Sequence, residues 1–170
     1  MGRGRIGARV AGYGKALGMT VVAWSQNLTD ERAAEAGVQR VNKDALFETA
    51  DVISLHLVLS DRTRGVVGAG ELARLRQGAI VVNTSRAPLI DEAALIAALR
   101  EGRVVAALDV FEREPLPVGH ALLACPNTVL TPHLGYSSLE VYRVFYTQGI
   151  ENALAFLDGT PIRVIEELRS

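Results

Sequence analysis

Short runs of consecutive apolar residues alternate along this chain with segments whose apolar positions recur every three or four residues. The first pattern marks strands covered on both faces, the second helices with one covered side. Strands are predicted over 20–24, 51–56, 79–83, 104–108 and 128–131. Ile6, Val10, Tyr13 and Leu17 form the first helical stripe; Thr29, Asp30 and Glu31 open a short helix ending near Gly37, and 44–50 and 69–76 carry similar patterns. A further helix has Asp91 as its N-cap, Leu95, Ile96 and Leu99 as its inner stripe, and Gly102 at its left-handed C-terminal end. Pro115, Pro117, Gly119 and Pro126 make 111–126 a loop. Ser137 and Glu140 have capping-box spacing, and the helix they open runs to about Asp158 with Tyr142, Phe145, Ile150, Ala153 and Leu157 on its buried side.

Strands alternating with helices predict an α/β fold, a Rossmann-like doubly wound sheet that is mostly parallel. It is read as one dinucleotide-binding domain over 1–159 and a loosely attached tail over 160–170. Only Met1 precedes Gly2, so the domain reads as N-terminally truncated, lacking its first strand, and weak folding alone is expected. Composition adds limits: 170 residues, 49% hydrophobic, suffice for one such domain. With 18 Lys and Arg against 19 Asp and Glu, no global charge draws the chain to nucleic acid or an anionic membrane. No apolar run reaches the roughly 20 residues of a membrane span, and a cytoplasmic location is expected. The single cysteine, Cys125, excludes an internal disulfide and reads as a small buried residue; no metal site is expected.

Candidate chemistry gathers where such sheets bind ligands, at the carboxyl ends of the strands. Gly2, Gly4 and Gly7 have Gly-x-Gly-x-x-Gly spacing: one for a tight turn, one for close approach of backbone to a pyrophosphate, one for helix packing. The helix N-terminus that follows favours phosphate. Past the next strand, where an acid would hold a ribose 2′-hydroxyl, stand Ser25, Gln26 and Asn27, which tilts the expected cofactor slightly from NAD toward NADP. Arg86 offers a planar fork for a carboxylate. His133, after Pro132, is placed like a general acid or base, and Glu114 can orient its ring and favour the imidazolium. His56 reads as a strand-end structural residue.

The stretches Gly2-Arg3-Gly4-Arg5-Ile6-Gly7, Val82-Asn83-Thr84-Ser85-Arg86, Ala107 through Pro115, and Thr131-Pro132-His133-Leu134-Gly135 together resemble the D-isomer-specific 2-hydroxyacid dehydrogenases. The resemblance implies an NAD- or NADP-dependent oxidoreductase of small 2-oxo and 2-hydroxy acids such as glyoxylate or hydroxypyruvate. It implies that Arg86 binds the substrate carboxylate, His133 exchanges the proton and Glu114 supports it. Gly2, Gly4, Arg5, Ile6, Gly7, Ser25, Gln26, Thr84, Asp109 and Gly135 would line the cofactor, Asp109 near the carboxamide. A homodimer is the expected assembly. Departures from the pattern are a chain about half the usual length, Ala87 in place of glycine, and a segment before Asp109 that looks one residue short. The alternatives are a non-catalytic, corepressor-like nucleotide binder and an inactive truncated product.

Overall fold

A computed structural model describes residues 1–2 and 4–165. The chain divides into two compact units, Met1–His133 and Leu134–Ser170. The first contains helices α1 (Arg5–Ala16), α2 (Asp30–Glu35), α3 (Lys43–Thr49), α4 (Ala69–Arg74) and α5 (Glu92–Arg100). Between them run strands β1 (Val22–Ala23), β2 (Gln39–Arg40), β3 (Val52–Leu55), β4 (Ala79–Asn83), β5 (Val104–Leu108) and β6 (Thr128–Leu130).

All described strand pairs are parallel, in a two-stranded sheet β1-β2 and a four-stranded sheet β3-β4-β5-β6. Met1 and Gly2 stand between the two. The Met1 nitrogen donates to Ser54 O at 2.6 Å, the His56 N–H donates to Met1 O at 2.8 Å, and the Gly2 N–H donates to Trp24 O at 2.9 Å. This short stretch therefore supplies the last rung of a central strand, and the spatial order β2, β1, Met1–Gly2, β3, β4, β5 is that of a doubly wound sheet.

β4 and β5 carry the main core. Val81, Leu99, Val104 and Ala106 are fully enclosed, with Phe47, Leu55, Val67 and Leu89 beside them. α5 forms as the sequence predicts: the Asp91 carboxylate accepts the Ala94 N–H at 3.0 Å, and Gly102 adopts φ +66°. Its buried residues are Leu95, Ala98 and Leu99, with Ile96 only half-buried. A smaller cluster of Leu28, Ala33 and Val38 lies against β1. Cys125 is buried and unpaired, as expected.

Several expectations are corrected. The first strand after α1 is not a buried run over 20–24 but two half-buried residues, and its partner β2 was not anticipated because Gln39 and Arg40 are polar and exposed. The 111–126 loop contains a single 3-10 turn, Ala121–Ala124. The α1 stripe is not covered: Ile6 is 68% exposed, and the helix seats itself on Gly7, its one buried residue.

In the second unit, α6 (Leu139–Leu157) starts one residue later than predicted, because Ser138 rather than Ser137 caps it, accepting the Val141 N–H at 3.3 Å. None of its residues is buried. Tyr142, Phe145, Ile150, Ala153 and Leu157, expected on a covered side, are all exposed, so the periodicity identified the helix but not a covered face. The tail begins tied rather than loose, with Arg163 bonded to Asn152 at 2.9 Å and ion-paired to Glu151; residues 166–170 lie outside the described residues. No described helix is long and apolar enough to cross a membrane.

Candidate active site

The glycine turn is shaped by close backbone packing. A Cβ on Gly2 would lie 2.3 Å from His56 O, and Gly2 already has φ +82°. A Cβ on Gly7 would lie 2.4 Å from Gly2 O. Gly4 is different: it caps α1, nothing lies within 4 Å of its would-be Cβ, and no side chain caps the helix nor any acid occupies its first turn. Open space before unclaimed amide groups suits an anion. Arg5 and Ile6 are the first helical residues, both exposed. Ser25 is half-buried at the end of β1, its carbonyl accepting the Leu28 N–H at 3.1 Å, and Gln26 is exposed beside it. These residues fit a dinucleotide: bare backbone at the turn and small or neutral side chains beyond β1.

Arg86 is presented by a turn that Asn83 organises. Asn83, 1% exposed at the end of β4, donates from Nδ2 to Arg86 O at 2.9 Å and accepts the Ser85 N–H at 3.0 Å. Ser85 Oγ donates to Leu55 O at 2.7 Å, fastening the turn to β3. By pattern alone Asn83 is only a strand end; the signal for its second role is an amide closing an apolar run just before a Thr-Ser turn. Thr84 is exposed on this turn. Asp109, 6% exposed, follows β5, its carboxylate accepting from Thr131 Oγ1 and its N–H donating to Asn83 O at 3.0 Å. β4 and β5 pair without a bulge from Ala79 and Val104 to Asn83 and Leu108, immediately before Asp109.

His133 and Glu114 meet. His133 Nδ1 lies 2.7 Å from Glu114 Oε2, and Glu114 Oε1 accepts the Phe111 N–H at 2.9 Å. The His133 hydrogen bond first, and the Phe111 N–H next, hold the Glu114 carboxyl below its ordinary value. His133 takes φ +54°, a left-handed conformation uncommon outside glycine. Arg86, Glu114 and His133 all line one open cavity of about 480 Å³, together with Arg64, Ala87, Pro88, Val110, Phe111 and Glu112. A more apolar cavity of about 380 Å³, walled by Pro115, Leu116, Leu123, Leu130 and Pro132, shares Phe111, Glu114 and His133 with it. A carboxylate-binding fork and a carboxylate-oriented imidazole at one cavity can hold a small acid and exchange a proton with it.

Of the other expected positions, Gly135 belongs to the second unit. His56 is half-buried just past β3, with Nε2 2.9 Å from Ser54 Oγ, and burial lowers its pKa. Among the described residues no group of three or more His, Cys, Asp or Glu side chains could hold a metal ion.

Comparison with known proteins matches residues 1–135 to the family model described as D-isomer specific 2-hydroxyacid dehydrogenase, NAD binding domain. The chain is 42% identical over 160 residues to a glyoxylate reductase of Aeropyrum pernix, covering 94% of this chain and 48% of that protein. It is 40% identical to a D-3-phosphoglycerate dehydrogenase of Bacillus subtilis, covering 95% of this chain and 31% of the relative. Among solved structures, one from Ralstonia solanacearum, provisionally named a D-3-phosphoglycerate dehydrogenase oxidoreductase, superposes with a TM-score of 0.92 at 43% identity, over 98% of this chain and 49% of the other. The chain spans about a third to a half of the length of these relatives.

Proposed function

Since this chain belongs to the D-isomer specific 2-hydroxyacid dehydrogenase family, whose NAD-binding domain it matches, we propose that it takes part in the reversible reduction of a small 2-oxo acid to a 2-hydroxy acid. The observation that carries this reading is the 2.7 Å His133–Glu114 pair at the same cavity as Arg86. The guanidinium of Arg86 would bind the substrate carboxylate through two parallel hydrogen bonds and so fix the direction of the carbonyl. Glu114, held by the Phe111 N–H, would orient the imidazole through Nδ1 and stabilise its protonated form, with Nε2 passing a proton to the carbonyl oxygen. A nicotinamide dinucleotide supplies hydride to the carbonyl carbon when bound; proton and hydride together give the alcohol. Gly4 and the first amides of α1 would hold its pyrophosphate, with Arg5 and Ile6 beside it, and Thr84 and Asp109 toward the nicotinamide. Glyoxylate and hydroxypyruvate are the first substrates to try.

Ser25 supports acceptance of NADP: a carboxylate there would repel a 2′-phosphate, and none is present. The test is a calorimetric titration of the 170-residue chain with NADPH and then NADH, followed by absorbance at the reduced-nicotinamide band on adding glyoxylate. Saturable binding that Ser25→Asp weakens more for NADPH than for NADH supports the reading. A folded chain that binds neither nucleotide overturns it.

A further inference from the structure

Arg86 and Glu114 stand on two different strips of chain, and a second carboxylate–imidazole pair, Glu92 with His120, joins those strips. We propose that Glu92 and His120 are positioning residues, whose contact restrains the loop carrying Glu114 against the segment carrying Arg86 and so keeps Glu114 in place to orient the His133 ring. This inference rests on the reading of Arg86, Glu114 and His133 given above.

Both strips are ordered by backbone bonds. From Arg86 the chain enters a 3-10 turn, Ala87–Leu89, and reaches Asp91 and Glu92, the cap and first residue of α5. That span is stitched to the loop after β3: the Gly65 N–H donates to Pro88 O at 2.8 Å, the Val67 N–H to Leu89 O at 3.0 Å, and the Asp91 N–H to Val67 O at 2.9 Å. From Glu114 the chain passes Pro115 and Pro117, whose rings fix φ, and turns at His120, whose N–H donates to Pro117 O at 3.1 Å. Leu122, 1% exposed, then seats the loop in the core.

His120 is held from two sides. Its Nδ1 accepts the Leu122 N–H at 3.3 Å, so the neutral ring carries its hydrogen on Nε2, and Nε2 lies 3.3 Å from Glu92 Oε1. His133 has the opposite arrangement: the carboxylate 2.7 Å from its Nδ1 only accepts, so its hydrogen sits on Nδ1. Among the described ion pairs, these two tie the 111–126 loop to other parts of the chain. Glu92 and Leu122 also share a small cavity of about 20 Å³ with Asn83 and Ala87, at the turn that presents Arg86. The His120–Glu92 contact therefore bears on the Arg86 turn at one end and, through the proline segment, on Glu114 at the other. A partly exposed ion pair of this kind contributes little to stability, so its consequence lies in placement.

The test reads the ring tautomers of the full chain by nitrogen-15 nuclear magnetic resonance at about pH 8.5, above the ordinary imidazole range. The chain has three histidines, so each ring is assigned by substitution. The unsubstituted chain should show hydrogen on Nδ1 of His133 and on Nε2 of His120. His120→Asn keeps a short acceptor for the Leu122 N–H but does not reach Glu92; His120→Gln reaches Glu92 with its amide but loses the cap. His120→Asn and Glu92→Ala should each cut the Nδ1–H share of His133 at least about twofold, while His120→Gln retains it and all three melt within about 4 °C of the unsubstituted chain. A contact that only supports the fold would move melting and leave the His133 tautomer alone. An unchanged His133 tautomer in His120→Asn and Glu92→Ala, or a loss that His120→Gln shares, overturns the positioning role and leaves the proposed function standing. Hydrogen on Nε2 rather than Nδ1 of His133 in the unsubstituted chain removes its bond to Glu114, and both readings fall.

Discussion

Alanine placed singly at Gly2, Gly4 and Gly7 should separate the structural glycines from the one that faces ligand. At Gly2 the new Cβ would sit 2.3 Å from His56 O, where ordinary contact begins at 3.4 Å, so backbone must move by about 1 Å. Gly2 also has φ +82°, and a left-handed conformation costs an L-residue about 1–2 kcal/mol. Overpacking adds about 1–3 kcal/mol, for a total of about 3 kcal/mol. At Gly7 the clash is with Gly2 O at 2.4 Å, and the same overpacking cost of about 1–3 kcal/mol applies. In a chain of this size each kcal/mol lowers Tm by about 2–4 °C, so Gly2→Ala should melt about 6–12 °C early and Gly7→Ala about 2–12 °C early. Gly4→Ala meets nothing within 4 Å, and its Tm should stay within about 2 °C. Its methyl group would instead stand where the proposed site receives the pyrophosphate, so NADPH affinity should fall at least about tenfold. Calorimetric melting and nucleotide titration of the three variants check this. Unshifted melting of Gly2→Ala, or normal nucleotide affinity of Gly4→Ala, would refute the division of roles.

Three further outcomes follow from described contacts. Asn83→Ala removes two hydrogen bonds at a buried site and leaves the Ser85 N–H and Arg86 O without that partner, a loss of about 2–3 kcal/mol readable by urea unfolding. Because the Glu114 carboxyl is held below its ordinary value of 4.5, chiefly by His133, its support for the fold is complete above that pH and is lost as pH falls through the lower folded value. The stability gap between the unsubstituted chain and Glu114→Gln should therefore narrow from pH 5 to about pH 3, and a gap constant over that window would count against the pair. Glu71 accepts from Lys43 Nζ at 2.7 Å and from the Gly68 N–H at 2.9 Å; Glu71→Gln should cost about 1 kcal/mol and about 2–4 °C in thermal melting.

β3, β4 and β5 could be read from the chain because each is a mostly apolar run, although full cover on both faces is not found: only alternate positions are buried, and Val52 and Ile80 are exposed; α5 could be read because a capping aspartate and a terminal glycine bracket it. β2 could not. Gln39 and Arg40 carry no apolar signal, and only their pairing with β1 makes them a strand. Periodicity identified α1 and α6 as helices, but it cannot say what covers a stripe, and Ile6 and Phe145 are exposed. At the site, Arg86, Glu114 and His133 were visible as residue types at strand ends, whereas Asn83 was hidden because a polar side chain folded back on its own turn leaves no period. Arg64 belongs to no motif; backbone bonding to the Pro88 strip, invisible in one dimension, brings it to the cavity.

The Met1–Gly2 stretch gives the first unit a seam. Among the described residues, the backbone hydrogen bonds joining the β1-β2 flap to the four-stranded body run through these two residues, and the flap has its own small cluster of Leu28, Ala33 and Val38. Such a flap can open locally while β4 and β5 stay closed. Ser25, proposed above to bear on the choice between the two nucleotides, lies on the flap side of the seam, and Arg86, Glu114 and His133 lie on the side of the four-stranded body. Warming short of global melting would then blur discrimination between the nucleotides before it disturbs the groups proposed to handle the acid, and a ligand gripping the glycine turn would act as a clasp across the seam.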